Sequence, residues 1–366
     1  MNILQKIFTD HYEEIKYTLH PRDCEIENID KMIHCGDPAF GGAMYGCPRC
    51  GKLKFVPFRC HSRFCPTCGN KYAMQRTTQM SFKMVHVKHR HLVFTIDAKL
   101  RPYFLDNRSL LNCLFHAVSS VILRMFNKMN KSKNYTPGFI MALHTFGRDL
   151  KWDPHIHCLL TEGGYSDDGF WKNVSHFNYT YLRNAFRTAL LNGMETTIGP
   201  SFKEIKSACY TNNRHGFYVY AKPNQCDPKA VAKYIGRYLG RPAIATSRID
   251  QYDGETVPAM EFIRRLIRHI PEKHFKMLRY GGLYARHRDS DRQLNHTISR
   301  EKHKFFLSLD KWRACILSSF GYDSLECPEC GKTMLFMELY YNHQRVPLEK
   351  LYEKAMSKAH RKRSPA

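Results

Sequence analysis

Two short segments in the middle of the chain, Gly138–Phe146 (GFIMALHTF) and His155–Leu160 (HIHCLL), determine the fold class. Each is an apolar run of strand type, and the short polar turn between them predicts a hairpin. Further strand candidates are His91–Asp97 and Gly216–Tyr220, and helices are predicted from about 103 to 130 and near Tyr179–Leu191. Because strands and helices intermix around a hairpin, the sequence predicts an α+β fold with an antiparallel sheet packed on helices.

The second strand of the hairpin carries a candidate metal site. His155 and His157 are two residues apart, so a strand points both imidazoles to one face with Cα atoms roughly 6.5–7 Å apart. The intervening and following residues Ile156, Cys158 and Leu160 then face the core. Two ring nitrogens do not complete a site, and we expect His144 on the preceding strand to be the third ligand, with Glu162 behind it.

A candidate pair of nucleophiles follows in the segment AKYIGRYLGRP. A helix is predicted from Asp227–Pro228, an N-cap followed by proline, and it places Tyr234 and Tyr238 one turn apart on one face. The alternative is that both tyrosines only flank the apolar core stripe of an amphipathic helix, which would give the same spacing. The basic residues on the other side of this helix suit phosphate binding, and we expect them to contact DNA: Lys233, Arg237 and Arg241.

These two constellations can act together on a phosphodiester. A phenol with a pKa near 10 is a poor nucleophile at neutral pH. A divalent cation, Mg²⁺ or Mn²⁺, held by the histidines would withdraw charge from the phosphate and orient it for attack by tyrosine. The product would be a phosphotyrosine link that needs no ATP for rejoining, and the chain has no GxxxxGK[ST] phosphate loop.

Cysteine pairs near the start of the chain predict zinc. Cys47 and Cys50 form one CxxC knuckle, and Cys65 and Cys68, separated from it by fourteen residues, form another. Two such knuckles can place four thiolates tetrahedrally around one Zn²⁺. Cys35 and Cys60 either belong to a second site or replace one of these ligands.

A third knuckle, Cys327–Cys330, repeats the pattern near the end of the chain without a second pair, and its only nearby partners are Cys315 and His343. We therefore expect no complete site there. Basic residues interleave with the amino-terminal cysteines and suit either phosphate binding or an ordinary solvated face: Arg49, Lys52, Lys54, Arg59 and Arg63.

Charge favours a nucleic-acid partner. Lys and Arg number 57 against 33 Asp and Glu, a net charge of +24, and a polyanion releases counterions when such a surface binds it. The hydrophobic content of 43% excludes a disordered polyelectrolyte.

The acidic residues in MNILQKIFTDHYEEIKYTLH do not fit a signal peptide, and no membrane span is expected. We expect a cytoplasmic, nucleoid-associated protein of a bacterium or archaeon.

The ordered series of motifs resembles a known family. CxxC…CxxCG, GFIMALHTFG, DPHIHCLL, AKYIGRYLGRP, EFIRRLIRHIP and CPECG occur from about Cys35 to Cys330, and together they resemble the two-tyrosine HUH transposases of the insertion-sequence ninety-one family. The resemblance implies that His155 and His157 hold the metal and that Tyr234 and Tyr238 are the nucleophiles. It also implies an amino-terminal zinc-binding domain and an HUH-type antiparallel sheet flanked by helices.

The activity implied by this resemblance is nicking, covalent capture and transfer of single-stranded DNA in rolling-circle transposition. The predicted domains are a zinc-binding domain at 1–85, an HUH strand-transfer domain at 86–245 and a basic carboxy-terminal region at 246–366. Family members often have a longer hairpin-like stretch where Tyr252–Val257 here runs almost directly into Glu261. The alternatives are a plasmid or phage rolling-circle replication initiator and a catalytically inactive zinc-ribbon DNA-binding regulator.

Overall fold

The computed structural model describes residues 2–85, 87–129, 135–147, 149–166, 168–174, 176–221, 249, 252, 256–285, 304, 307–308, 311–347, 349–350 and 353. The α-helices in this part of the chain are α1 Ile3–Asp10, α2 Tyr12–Thr18, α3 Asp23–Ile33, α4 Pro66–Lys83, α5 Arg101–Asp106, α6 Leu111–Met129, α7 Tyr179–Ile198, α8 Lys203–Asn212, α9 Thr256–Ile267 and α10 Trp312–Phe320. The strands are β1 Gly42–Gly46, β2 Leu53–Pro57, β3 His89–Phe94, β4 Tyr135–Phe146, β5 Trp152–Ser166, β6 Trp171–Asn173, β7 Val219–Ala221, β8 Leu278–Gly282, β9 Leu335–Tyr341 and β10 Gln344–Arg345.

The larger sheet is antiparallel and is built around the β4–β5 hairpin. Its strand order is β7-β3-β5-β4-β8, and β6 pairs with β5. β5 is the longest strand and is hydrogen-bonded on both sides, by β3 and by β4. Its period-2 alternation therefore distributes side chains between two covered faces of the sheet.

One face of this sheet packs on α6 and α7 to form the main core. The apolar residues of α6 recur at helical spacing and turn one stripe toward the sheet. On the strand side, Ile156, Cys158 and Leu160 of β5 are fully buried in this core, as predicted from the alternation. The opposite face carries a smaller cluster that joins Ile140 and Leu159 to Met80 near the end of α4.

The segment Arg108–Met129, which contains α6, is long and apolar enough to cross a membrane by those two criteria alone. In the fold, Leu114, Val118 and Val121 of this segment are buried against the sheet. Core helices of soluble proteins meet the same two criteria, so they are weak evidence for a membrane span.

A second core joins the amino-terminal helices to α9, which is distant in the sequence. Leu4 and Phe8 of α1 and Ile29 of α3 pack with Ile263 and Leu266 of α9, all buried. The second sheet also joins distant segments of the chain, and its strand order is β10-β9-β1-β2. Its central strand β1 pairs antiparallel with its chain neighbour β2 and with the distant strand β9.

The structure confirms the α+β class, with antiparallel sheets flanked by helices. The helix predicted from about 103 to 130 is interrupted, because the side chain of Asn107 accepts a hydrogen bond from the Ser109 N–H and starts a new turn. The strand predicted at Gly216–Tyr220 begins only at Val219, since Gly216 lies in a turn with φ +83°. The helix predicted from Asp227 lies outside the described residues.

Candidate active site and metal centres

The β4–β5 register brings three histidines to one spot. His144 is the direct cross-strand partner of His155, and Ala142 is the partner of His157. Cross-strand partners point to the same face, and residues two apart on one strand do so as well. One candidate ligand atom from each of His144, His155 and His157 lies within 4.8 Å of the others. The third ligand expected from the sequence is therefore found beside the other two.

Hydrogen bonds orient the rings of His155 and His157 so that the Nε2 atoms of both rings lie close together. The Nδ1–H of His155 donates to the carbonyl oxygen of Asp153 at 2.7 Å, because a carbonyl can only accept. This leaves the Nε2 of neutral His155 with the lone pair, 3.1 Å from the Nε2 of His157. Two nitrogens bound at right angles to one cation at about 2.1 Å are about 3.0 Å apart, so this spacing fits a shared ion.

Burial keeps these imidazoles neutral. It lowers the pKa of His144 well below its usual value, lowers that of His155, and lowers that of His157 to about 2. The neighbouring histidines act in the same direction on His144 and His157, since like charges repel. A metal ligand must be the unprotonated imidazole, so the cluster is in its binding form at neutral pH.

His91 of β3 is a fourth member of the cluster that the sequence reading missed. Its Nε2 lies 2.9 Å from the Nδ1 of His157, and the two rings are stacked with an angle of 11° between their planes. A Nδ1–H of His157 that donates to His91 leaves the Nε2 of His157 for a cation. The available signal was that His91 begins a strand of the same sheet, but the register between β3 and β5 is not visible in the sequence.

Glu162 does not belong to this cluster, which corrects its placement behind His144. It is seven residues from His155 on the same strand, so strand alternation turns it to the other face of the sheet. There its carboxylate accepts a hydrogen bond from Arg90 Nε at 2.7 Å, and both side chains are mostly buried.

The histidine cluster fits a divalent cation. Its donors are neutral nitrogens that converge within bonding reach of one point. Three protein ligands leave further coordination positions for oxygens, which Mg²⁺ and Mn²⁺ prefer. Phosphate oxygens of a nucleic acid can supply those positions.

The predicted nucleophiles Tyr234 and Tyr238 lie outside the described residues, as do the predicted DNA contacts Lys233, Arg237 and Arg241. The last described strand before them is β7, an edge strand of the histidine sheet that ends at Ala221. Its residue Tyr220 pairs with Val93 of β3, and Val93 pairs in turn with His157. The described chain before the two tyrosines therefore reaches Ala221 in a strand that is separated only by β3 from the strand that carries His157.

A cysteine tetrad lies in the amino-terminal core. Cys35 follows α3, Cys60 follows β2, Cys65 is the N-cap of α4 and Cys68 lies in the first turn of that helix. Their sulfur atoms all lie within 4.8 Å of one another, and Cys35 Sγ is 3.6 Å from Cys68 Sγ. Hydrogen bonds from the other three thiols lower the pKa of Cys35, so the cluster already stabilises a thiolate. These four residues fit a structural Zn²⁺.

The structure corrects the predicted grouping of the cysteines. Cys47 and Cys50 do not join Cys65 and Cys68. They lie in the turn between β1 and β2 and face the carboxy-terminal knuckle, whose sulfur atoms lie within 4.8 Å of theirs. The third knuckle, Cys327–Cys330, is thus completed by a distant pair, and neither Cys315 nor His343 belongs to the cluster. The amino-terminal knuckles separate because one lies on a hairpin and the other at a helix start.

Two of the basic residues around the first knuckle contact the last one. Lys52 forms an ion pair with Glu329 at 2.7 Å, and Lys54 Nζ donates to the carbonyl oxygen of Ser324 at 3.2 Å. Both contacts hold two parts of the chain together.

Comparisons with known proteins agree with this arrangement of a cysteine-rich start followed by a histidine sheet. Residues 7–96 match the family described as a transposase zinc-binding domain, and residues 138–258 and 250–291 match the family described as a putative transposase. The first match contains the tetrad of Cys35, Cys60, Cys65 and Cys68, and the second contains His144, His155 and His157. No solved structure matches the chain.

Two curated relatives are similar over most of the chain. The transposase for insertion sequence element IS801 from Pseudomonas savastanoi pv. phaseolicola is 31% identical over 297 residues, which cover 72% of this chain and 71% of that protein. The putative transposase y4qJ from Sinorhizobium fredii is 28% identical over 283 residues, 68% of this chain and 71% of that protein. The fold and the site thus define a DNA transposase with a zinc-binding domain. The chain belongs to the insertion-sequence ninety-one family of transposases.

Proposed function

We propose that this transposase cuts and rejoins single-stranded DNA by tyrosine transesterification at a divalent cation, as in rolling-circle transposition. The observation that carries the proposal is the convergence of His144, His155 and His157 within 4.8 Å on one face of the sheet. Three neutral imidazoles on adjacent strands are a set of donors for a cation, and a DNA transposase acts on phosphodiesters.

The protein side of the site is fixed before substrate arrives. The backbone of Asp153 holds the ring of His155, and the ring of His91 stacks on that of His157. A bound Mg²⁺ or Mn²⁺ would neutralise charge on the scissile phosphate and align it for in-line attack. The rigid β4–β5 register keeps the ligand positions constant through the reaction.

Tyr234 and Tyr238 are the proposed nucleophiles, on the basis of their spacing in the sequence. The phenol oxygen of one tyrosine loses its proton and forms a bond to phosphorus, while the bond from phosphorus to one deoxyribose oxygen breaks. That oxygen takes up a proton and leaves as a free hydroxyl. The phosphotyrosine link retains the phosphodiester bond energy, so a second hydroxyl can later attack it and release the tyrosine without ATP.

The position of β7 supports a tyrosine nucleophile near the histidines. β7 is the strand after which the segment with Tyr234 and Tyr238 follows in the chain, and only β3 separates it from β5. The net charge of +24 and the basic residues around the two tyrosines suit a DNA strand held against this edge of the sheet. We propose that the protein acts on DNA in the cytoplasm, at the nucleoid.

A nicking assay on a single-stranded oligonucleotide with Mg²⁺ or Mn²⁺ tests the proposal. Wild-type protein is expected to give a cut strand and a protein–DNA adduct that survives denaturation. His155→Ala or His157→Ala should abolish cutting but leave DNA binding largely intact, because binding depends on many phosphate contacts. An adduct formed by either histidine variant at the wild-type rate would overturn the role of the cation.

The nucleophiles are tested separately with a double variant, Tyr234→Phe with Tyr238→Phe, which should form no adduct. Tyr17→Phe is a matched control, since Tyr17 is 73% exposed on α2 of the amino-terminal part, and it should form the adduct normally. Each single variant can retain initial nicking through the remaining tyrosine. Persistence of the adduct in the double variant would show that another residue is the nucleophile.

A further inference from the structure

We propose that this transposase carries a second structural zinc ion, bound by Cys47, Cys50, Cys327 and Cys330, which joins the two ends of the chain. The amino-terminal family match covers only the first of these two knuckles. The sulfur atoms of the four residues lie within 4.8 Å of one another. Cys50 and Cys327 are 277 positions apart in the sequence, and the whole histidine sheet lies between them.

The sulfur–sulfur distances are compatible with a tetrahedral site. Cys47 Sγ lies 3.4 Å from Cys330 Sγ, and Cys50 Sγ lies 3.6 Å from Cys327 Sγ. Four sulfurs at about 2.3 Å from a zinc ion are about 3.8 Å apart, close to these values. A disulfide needs about 2.05 Å, so the pairs are too far apart to be oxidised bridges in this arrangement.

The two knuckles have the same local structure, so each offers two thiolates in the same way. Both have the sequence CPxCGK, at Cys47–Lys52 and at Cys327–Lys332. In the first, Cys47 N–H donates to Lys52 O and Gly51 N–H donates to Cys47 O, at 2.9 and 3.0 Å. The corresponding bonds in the second knuckle have the same two lengths.

A glycine closes each knuckle. Gly51 has φ +73° and Gly331 has φ +70°, a left-handed conformation that residues with a Cβ rarely adopt. Two copies of one turn, each able to present two sulfurs, therefore face each other across a shared point. This is the arrangement of a zinc ribbon whose halves come from different parts of a chain.

Contacts around the sulfurs hold the two knuckles in this position. β1 leads into the first knuckle and pairs with β9, which follows the second, in the register Gly46↔Leu335 and Gly42↔Tyr340. The ion pair of Lys52 with Glu329 bridges the knuckles directly. Cys47 and Cys327 are buried together with Met334 in a small apolar cluster. The ligands are thus fixed by sheet, charge and packing before a metal binds.

The metal is assigned as zinc because of the ligands. Four thiolates in tetrahedral geometry select Zn²⁺ or iron among the common ions, and the structural role of a closed four-cysteine site is typical of zinc. A bound ion would stabilise the chain by closing a very long loop, and it would fix β9 to β1.

The test is metal analysis of the full-length protein together with Co²⁺ substitution. Purified wild-type protein is expected to contain two thiolate-bound zinc ions, seen after Co²⁺ exchange as a sulfur-to-cobalt charge-transfer band of twice the intensity of one four-cysteine site. The double variant Cys327→Ser with Cys330→Ser should lose half of this band. Cys60→Ser, in the other tetrad, should lose the other half.

Cys315→Ser is the matched control, because Cys315 is a buried cysteine shortly before Cys327 in the sequence and is not a member of the tetrad. It should keep the full band. One thiolate-bound metal per wild-type chain would overturn the proposal, and that count does not depend on whether a variant folds. Iron in place of zinc would overturn the assignment of the metal. A full band in the Cys327, Cys330 double variant would show that these residues are not ligands.

Discussion

At the scale of single residues, His91 and His89 of β3 illustrate two different uses of a buried histidine. His91 stacks on His157 and bonds to its ring at 2.9 Å, so it orients a proposed ligand. His89 lies two residues away and contacts none of the proposed ligands in this way. Its Nδ1 donates to the carbonyl oxygen of Val87 at 2.8 Å and its Nε2 accepts from the hydroxyl of Tyr284 at 2.7 Å. His91 therefore bears on metal binding at the site, whereas His89 bears on the stability of the fold.

His91→Phe is expected to weaken Mn²⁺ binding by about 10–100-fold, the usual effect of removing a partner of a metal-bound histidine. The reason is that the Nδ1 of His157 loses its hydrogen-bond partner, so its ring is no longer held with Nε2 toward the other histidines. Titration of Mn²⁺ followed by electron paramagnetic resonance measures the affinity. His89→Gln is the control and should bind Mn²⁺ like wild type. Equal affinities of the two variants would contradict the positioning role of His91.

Because His89 is buried, we expect the free energy of unfolding to fall in acid. Burial lowers the pKa of His89 to about 4, whereas an exposed histidine in the unfolded chain titrates near 6.5. The unfolded state therefore binds the proton first, and the free energy of unfolding falls as the pH decreases from about 6.5 toward 4. Between pH 7 and pH 5 this one group accounts for about 2 kcal/mol.

Denaturant unfolding at pH 7 and at pH 5 measures this effect as a difference between proteins. His89→Gln, which can keep both hydrogen bonds but cannot titrate, should lose about 2 kcal/mol less than wild type over that interval. The comparison removes the contribution of the other titrating groups, which both proteins share. An identical acid loss in the two proteins would show that His89 does not titrate as burial implies.

At the scale of elements, α9 connects the amino-terminal core, which contains the tetrad of Cys35, Cys60, Cys65 and Cys68, to the hairpin of the histidine site. Its residues Ile263 and Leu266 are fully buried against α1 and α3. Just beyond its end, His269 shares a hydrogen bond of 3.1 Å with the Thr145 hydroxyl and donates to the carbonyl oxygen of Leu150 at 3.0 Å. Thr145 is the neighbour of His144 in β4. The EFIRRLIRHIP motif thus has a structural role that its sequence alone did not reveal.

Ile263→Ala is expected to destabilise the protein by about 2–5 kcal/mol, because it leaves a cavity between α9 and the amino-terminal helices. The free energy of unfolding, from a denaturant titration, is the measurement. Arg264→Ala is the control on the same helix, since Arg264 is about half exposed, and should change stability by no more than about 0.5 kcal/mol. A similar small effect of Ile263→Ala would mean that α9 does not pack as described.

At the scale of the whole molecule, segments late in the chain pack against segments near its beginning. β9 pairs with β1, α9 packs with α1 and α3, and the knuckle at Cys327–Cys330 meets the one at Cys47–Cys50. Residues from the predicted carboxy-terminal region therefore complete structures that begin in the predicted zinc-binding domain. A truncation before Cys327 would remove β9, which pairs with β1, together with the two thiols that lie beside Cys47 and Cys50.

The net charge of +24 predicts a steep salt dependence of single-stranded DNA binding. Each phosphate contact contributes about 0.7 to the slope of log affinity against log salt concentration, so replacing Lys233, Arg237 and Arg241 by Ala should reduce it by about 2. The control removes the same charge elsewhere, at Lys16, Lys31 and Lys151, which pair with acidic neighbours. Equal slopes for the two triple variants would place the DNA away from the predicted helix.

Local spacing in the sequence was enough to predict the direction of side chains along a strand. Period-2 alternation placed His155 and His157 on one face and Ile156, Cys158 and Leu160 in the core, and a short turn made His144 their cross-strand neighbour. The same rule, applied to Glu162, would have excluded it from the histidine face. The α+β class followed from the intermixed strands and helices.

The contacts between distant segments could not be predicted from local spacing and are known from the fold. The CxxC spacing identifies a zinc knuckle but carries no information about its partner, so the tetrads of Cys35, Cys60, Cys65 and Cys68 and of Cys47, Cys50, Cys327 and Cys330 were not predictable. His91 joined the histidines through the β3–β5 register, which depends on the packing of the whole sheet. Local patterns fix the direction of a side chain along its own element, whereas long-range pairing is set by the burial of apolar surface over the entire fold.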